Sequence, residues 1–158
     1  MKTISGRSDQ APRIAHAEVE QFFEASGLKF RRQPQHEGVW ELGFQGRLSR
    51  FTVLIDNGIS NPNFLSINLS YLTAHSHLAD LYSELLRKTG KLLFCKFTLD
   101  KRGNVGIRTL VLRDKDTFPL SKLKKCLAAT LQGADAWYLE LLNLVAGSGE
   151  DDLSMTSP

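Results

Sequence analysis

Five stretches of this chain alternate apolar and polar residues with period two, and three others repeat apolar residues every three to four positions. The first pattern reads as half-buried strands and the second as amphipathic helices. Their order is helix, three strands, helix, two strands, helix. A sheet with one apolar face needs cover, and helices with apolar stripes supply it. The order therefore predicts an α+β fold: three helices on one face of a five-stranded antiparallel sheet, arranged α-β-β-β-α-β-β-α.

The first helix is expected over Ile14–Ser26, with Val19, Phe22 and Phe23 on its apolar face and Glu18, Glu20, Gln21 and Glu24 toward water. Gly27 is its stop. Leu28–Gln33 reads as a short extended piece before Pro34. Strands follow at Gly38–Gln45, Leu48–Asp56 and Phe64–Leu72, the first two joined at Gln45-Gly46 and the last two by turn residues between Asn57 and Asn63. The cleanest alternation is the third, with Leu65, Ile67, Leu69 and Tyr71 against Ser66, Asn68 and Ser70. A second helix is expected from Ser76, as its cap, to Thr89, with a stripe of Leu78, Leu81, Tyr82, Leu85 and Leu86. Lys91–Asp100 and Val105–Arg113 form a hairpin across Lys101-Arg102-Gly103-Asn104. Ser121 caps a last, Leu-rich helix in which Gly133 marks a bend or a close approach.

At 158 residues the chain fits one domain, read as 14–146 between disordered tails at 1–13 and 147–158. No apolar run reaches the ~20 residues that cross a bilayer, and Met1-Lys-Thr-Ile-Ser-Gly-Arg-Ser lacks a secretory apolar stretch, so the expected location is cytoplasmic. Cys95 and Cys126 form no CxxC and are expected as reduced, buried thiols, a disulfide being the alternative. The net charge is +3, but Glu150, Asp151 and Asp152 cluster near the end, leaving residues 1–149 with 20 basic and 14 acidic groups. A modestly basic body raises the question of an anionic partner.

The second face of the sheet is the informative one. Its first three strands offer mainly Glu41, Arg50, Thr52, Ser66, Asn68 and Ser70, which are solvent residues. The last hairpin breaks the rule by sending Leu92, Phe94, Leu110 and Leu112 outward, with Leu54 as a neighbour. A cluster of that kind marks an interaction site. Burying five such side chains yields about 8–15 kcal/mol gross, against about 4–15 kcal/mol for association. Two identical patches across a two-fold axis double the apolar area, so a homodimer is the first expected partner and a protein or peptide client the second.

Three stretches then carry a family likeness: the hairpin with Glu41-Leu-Gly-Phe-Gln-Gly-Arg47, the block from His77 to Arg108 containing Leu99-Asp-Lys-Arg-Gly-Asn-Val105, and the Leu-rich last helix. With the element order, residues 14–146 resemble the YbjN domain family and the related class I type III secretion chaperones. The resemblance implies a compact, usually dimeric, non-enzymatic bacterial protein, whose chaperone relatives hold an extended segment of a secreted partner. YbjN-like proteins are associated with stress and regulatory phenotypes. This chain lacks the strong acidity of secretion chaperones, which favours the YbjN-like side.

Other chemistry finds little support. His75 and His77 flank Ser76 at a helix start, where a helix would point them apart, and only Asp80 is near enough to help, so no metal site is expected. Cys95 lies among Leu93, Phe97 and Leu99, where a thiol acts as a small hydrophobe. Gly103-Asn-Val-Gly106 precedes a strand and not a helix, which excludes a phosphate loop. No enzyme and no cofactor are expected. Basic clusters at Lys29-Phe30-Arg31-Arg32, Arg87-Lys88 with Lys91, Lys101-Arg102 and Lys122-Leu-Lys-Lys125 keep a nucleic-acid-binding regulator as the alternative, without a recognised motif.

Overall fold

The alternation in Phe64–Leu72 builds the middle of the structure, a computed structural model that describes residues 11–58, 64–75, 78–92, 94–112 and 120–147. Leu65, Ile67 and Leu69 point to one side and are each 2% exposed or less. Among the described residues the chain forms α1 (Ala11–Ala25), β1 (Phe30–Arg32), β2 (Val39–Gln45), β3 (Arg50–Asp56), β4 (Phe64–Thr73), α2 (Leu78–Thr89), β5 (Cys95–Leu99), β6 (Asn104–Leu112) and α3 (Leu120–Gly147). All strand pairs are antiparallel, in the order β1-β2-β3-β4-β6-β5. Residues 1–10 and 148–158 of the expected tails, turn residues 59–63, Ser76, His77, Leu93 and Arg113 lie outside the described residues.

This is the expected α+β fold with one correction: the sheet has six strands, not five. The added strand is β1, where Phe30, Arg31 and Arg32 pair with Leu42, Glu41 and Trp40. One apolar residue followed by two arginines carries no alternation, so hydropathy could not reveal it. Side-chain pairing tells more. Arg31 meets Glu41 at 2.9 Å across the strand pair, and Arg32 reaches Glu20 on α1 at 2.6 Å. Two helix starts also differ. α1 begins at Ala11, and α3 begins at Leu120, which places Ser121 inside the helix and not at its cap.

The inner face takes the apolar half of every strand. α1 lays Val19 and Phe23, both 0% exposed, over β1 and β2, where Phe23 meets Phe30 and Trp40 at ring distances of 5.2 and 5.8 Å. Glu20 does not simply face water. Its carboxylate accepts hydrogen bonds from Trp40 Nε1 at 2.8 Å and from two nitrogens of Arg32 at 2.6 Å each. These bonds, Arg32's foremost and Trp40's with them, hold its carboxyl below the usual 4.5 despite partial burial.

α3, at roughly 1.5 Å per residue, spans about 42 Å over β4, β6 and β5. A register shift between Ser70 and Leu72 lets both Tyr71 and Leu72 pack on the core, and the Tyr71 hydroxyl donates to the Ala134 carbonyl of α3. Thr130 donates to the Cys126 carbonyl at 2.7 Å, which leaves Thr109 as donor in the buried 2.8 Å contact between the two threonine hydroxyls. Gly133 is a close approach: a Cβ there would stand 3.0 Å from Leu92 Cδ2. Asp135 binds the β2–β3 turn through Arg47, its backbone N–H and its guanidinium each at 2.8 Å.

α2 lies beside α3 at the β5 edge. Leu81 and Leu85 are buried as expected, but Tyr82 and Leu86 are more than half exposed. The third buried position of the helix is Lys88, 1% exposed, with Nζ 3.9 Å above the Trp137 ring, 2.6 Å from Glu140 and 3.3 Å from Glu84. Thr89 Oγ1 accepts the Phe97 N–H at 3.2 Å, so α2 also closes part of the outer edge of β5.

Two stability measurements test this packing. Lys88→Ala empties a buried site over an indole and is expected to cost about 2–3 kcal/mol. Lys101→Ala, at an exposed lysine of the β5–β6 turn, should change stability by less than about 0.5 kcal/mol in the same urea titration. Glu20 has a lowered folded pKa, so its pairing stabilises the fold fully above the unfolded value of 4.5 and is lost as pH falls through the folded value. Glu20→Gln should remove that part of the acid dependence. An unchanged stability-against-pH curve would show that the pair contributes nothing.

Candidate protein-binding face

Strand alternation sends the other half of each strand to the outer face. Cross-strand register orders those residues into rows. One row runs Arg31–Glu41–Leu54–Asn68–Arg108–Lys96 across all six strands, and the next runs Val39–Asp56–Ser66–Leu110. Phe64 stands opposite Leu112 at the end of β4 and β6.

Phe94 is 70% exposed, Leu112 55% and Leu110 44%. Leu110 and Leu112 are successive outward positions of β6, and Phe94 directly precedes β5, next to the Cys95–Thr109 pair. Phe94 has a φ of 67°, a left-handed conformation unusual for an aromatic residue. Its backbone thus turns an apolar ring into solvent at a junction where regular strand geometry has not yet begun.

Leu92 does not belong to this face. The backbone after α2 continues into a turn, with Lys91 N–H bonded to the Lys88 carbonyl at 2.9 Å and Leu92 N–H to the Thr89 carbonyl at 3.1 Å. β5 therefore starts at Cys95 and not at Lys91, and period-two counting does not reach back to Leu92. Its side chain packs on the core against Gly133. Leu54 is on the outer face, half-buried, but β4 separates it from β6, about 10 Å away. The residue missed is Phe64, half-buried opposite Leu112; its position at the start of the clean alternation was the available signal.

Two shallow cavities flank this region. One, of about 450 Å³, is bounded by Ser70, Thr98, Asn104 and Gly106 at the far end of β4, β5 and β6. The other, of about 600 Å³, is bounded by Lys29, Arg31, Glu41, Gly43 and Arg50 over β1–β3.

Four cations of the basic clusters are engaged in the fold. Arg31 pairs with Glu41, Arg32 with Glu20 and Arg87 with Glu84, while Lys88 is buried. Phe30 packs against Phe23, which removes it as a stacking platform. Among the described residues no group of three or more His, Cys, Asp or Glu side chains is placed to hold a metal ion, and no helix is long and apolar enough to cross a membrane. Cys95 and Cys126 are free and buried, and burial pushes both thiols above their ordinary pKa, away from nucleophilic use.

No protein-family model and no curated protein matches the chain. Solved structures do match it in shape. YbjN from E. coli superposes with a TM-score of 0.61 at 13% identity, over 79% of this chain and 89% of that one. A chain of the ExsC-ExsE complex gives 0.61 at 17% identity, over 85% and 97%. A chain of the HopA1-SchA chaperone-effector complex gives 0.58 at 14% identity, over 84% and 98%. At these identities the likeness is one of fold, and this chain has the architecture that YbjN shares with secretion chaperones.

Proposed function

We propose that this protein is a non-enzymatic binding module, in a chaperone-like or regulatory role, whose outer sheet face pairs with a second copy in a homodimer and exchanges that copy for an extended protein segment. The observation that carries this reading is the exposure of Leu110 and Leu112 at successive outward positions of β6, with Phe94 exposed just before the neighbouring β5. The fold supports it, since two of the matching structures are complexes, one of them described as chaperone with effector.

Magnitude favours a second copy as the first partner. Three such side chains give about 5–9 kcal/mol gross when buried, which barely meets the cost of association, about 4–15 kcal/mol. Pairing the same patch with itself doubles the apolar area at one association cost. A nucleic-acid role is the weaker reading, because Arg31, Arg32, Arg87 and Lys88 are tied into ion pairs and Phe30 into the core.

Sedimentation equilibrium on the order of 50 µM should give about twice the monomer mass of 17.7 kDa. The double substitution Phe94→Asp with Leu112→Asp should yield monomers whose unfolding free energy stays within about 1 kcal/mol of the parent, since neither side chain is buried. A parent protein that sediments as a monomer rejects the dimer. Assembly unaltered by the two aspartates rejects the face.

A further inference from the structure

We infer that the outer face selects segments in which carboxylates sit beside apolar residues. This rests on the protein-binding reading above and adds the chemistry of the partner. Among the described residues, the outer face carries five cations, Lys29, Arg31, Arg50, Lys96 and Arg108, against three carboxylates, Glu41, Asp56 and Asp100, the last bonded within its hairpin turn by the Arg102 N–H and the Asn104 amide. Glu41 is already held by Arg31 and by the Gln33 amide at 3.0 Å, and Asp56 is buried. Lys29, Arg50, Lys96 and Arg108 make no ion pair with any described residue.

The placement of Arg108 sharpens the argument. It occupies the next outward position of β6 after Leu112 and Leu110, and Lys96 stands beside it on β5. Its Nε is buried without any hydrogen-bond acceptor. A half-buried guanidinium is less screened by salt than a surface one and gains most from an ionised acceptor. Read along β6, the surface is apolar at Leu112 and Leu110 and cationic at Arg108, and past Gly106 it borders the 450 Å³ cavity. Outward positions on a strand recur about every 6.8 Å, so an extended segment lying along β6 meets leucines with its apolar side chains and Arg108 and Lys96 with a carboxylate a few residues on.

A nucleic acid fits this surface less well. Its phosphates would have to cover exposed leucines, and Glu41 stands among the cations of the second cavity. Phe94 is the exposed aromatic ring of the apolar cluster, which gives successive bases little to stack on.

The test is selection of a random 16-residue phage-displayed peptide library on the full-length protein, followed by fluorescence anisotropy with the enriched peptides. Enriched peptides are expected to carry Asp or Glu next to Leu, Ile, Val or Phe. Their affinity should fall roughly tenfold with Arg108→Gln or with the exposed Lys96→Gln, the scale of one charge-assisted hydrogen bond, and should weaken as salt rises. Enriched peptides that are apolar but uncharged, and lost only with Leu110→Asp or Leu112→Asp, would overturn the acidic preference while leaving the binding face in place. No enrichment, or displacement of every peptide by a dT20 oligonucleotide, would overturn both.

Discussion

The sheet buries one face only, and the structure follows from that. Helices α1 and α3 take up the apolar half of the strands, with Val19, Phe23, Leu123 and Leu141 completely enclosed. At roughly 25 cal/mol per Å² of apolar surface, this one-sided burial is the main stabilising term, and it fixes register, because a one-residue slip would turn Leu65, Ile67 and Leu69 to water. The same constraint leaves the outer face without a helical layer among the described residues.

Polar contacts do a different task. They join elements that apolar packing brings near but does not orient. Glu20 ties α1 to Arg32 and Trp40, Asp135 ties the β2–β3 turn to α3, and Lys88 ties α2 to Glu140 and Trp137. Each pairs residues far apart in sequence. The exposed pairs contribute little energy individually, but the buried lysine stands over an indole with its charge compensated, so removing it leaves a hole as well as an unmatched partner.

Much of the architecture was legible in advance. Period-two runs located β2, β3, β4, β5 and β6, and period-3.6 runs located the helices, because burial of one face leaves its mark on the sequence at fixed spacing. Leu28–Gln33 reads as extended, but the place of β1 in the sheet is not legible because it comes from pairing with β2 and from ion pairs, which leave no periodic signal. Leu92 was misplaced because a strand boundary is set by hydrogen bonding; the turn closed by Lys88 and Thr89 carbonyls delays β5 to Cys95. The sequence presents Lys88 only as a member of a basic cluster, since only the approach of α3 supplies Trp137 and Glu140.

Sequence alone determined the alternation and therefore which residues of β6 point away from the helices: Leu110 and Leu112, with Arg108 in phase with them. It also determined that the strands alternate too strongly to be anything but a half-covered sheet. Only the tertiary structure decided who stands beside whom. Cross-strand neighbours such as Lys96 and Arg108, the separation of Leu54 from the apolar cluster by β4, and the capture of Leu92 by Gly133 depend on strand order and register. Those are set by contacts between distant parts of the chain, which local periodicity does not encode.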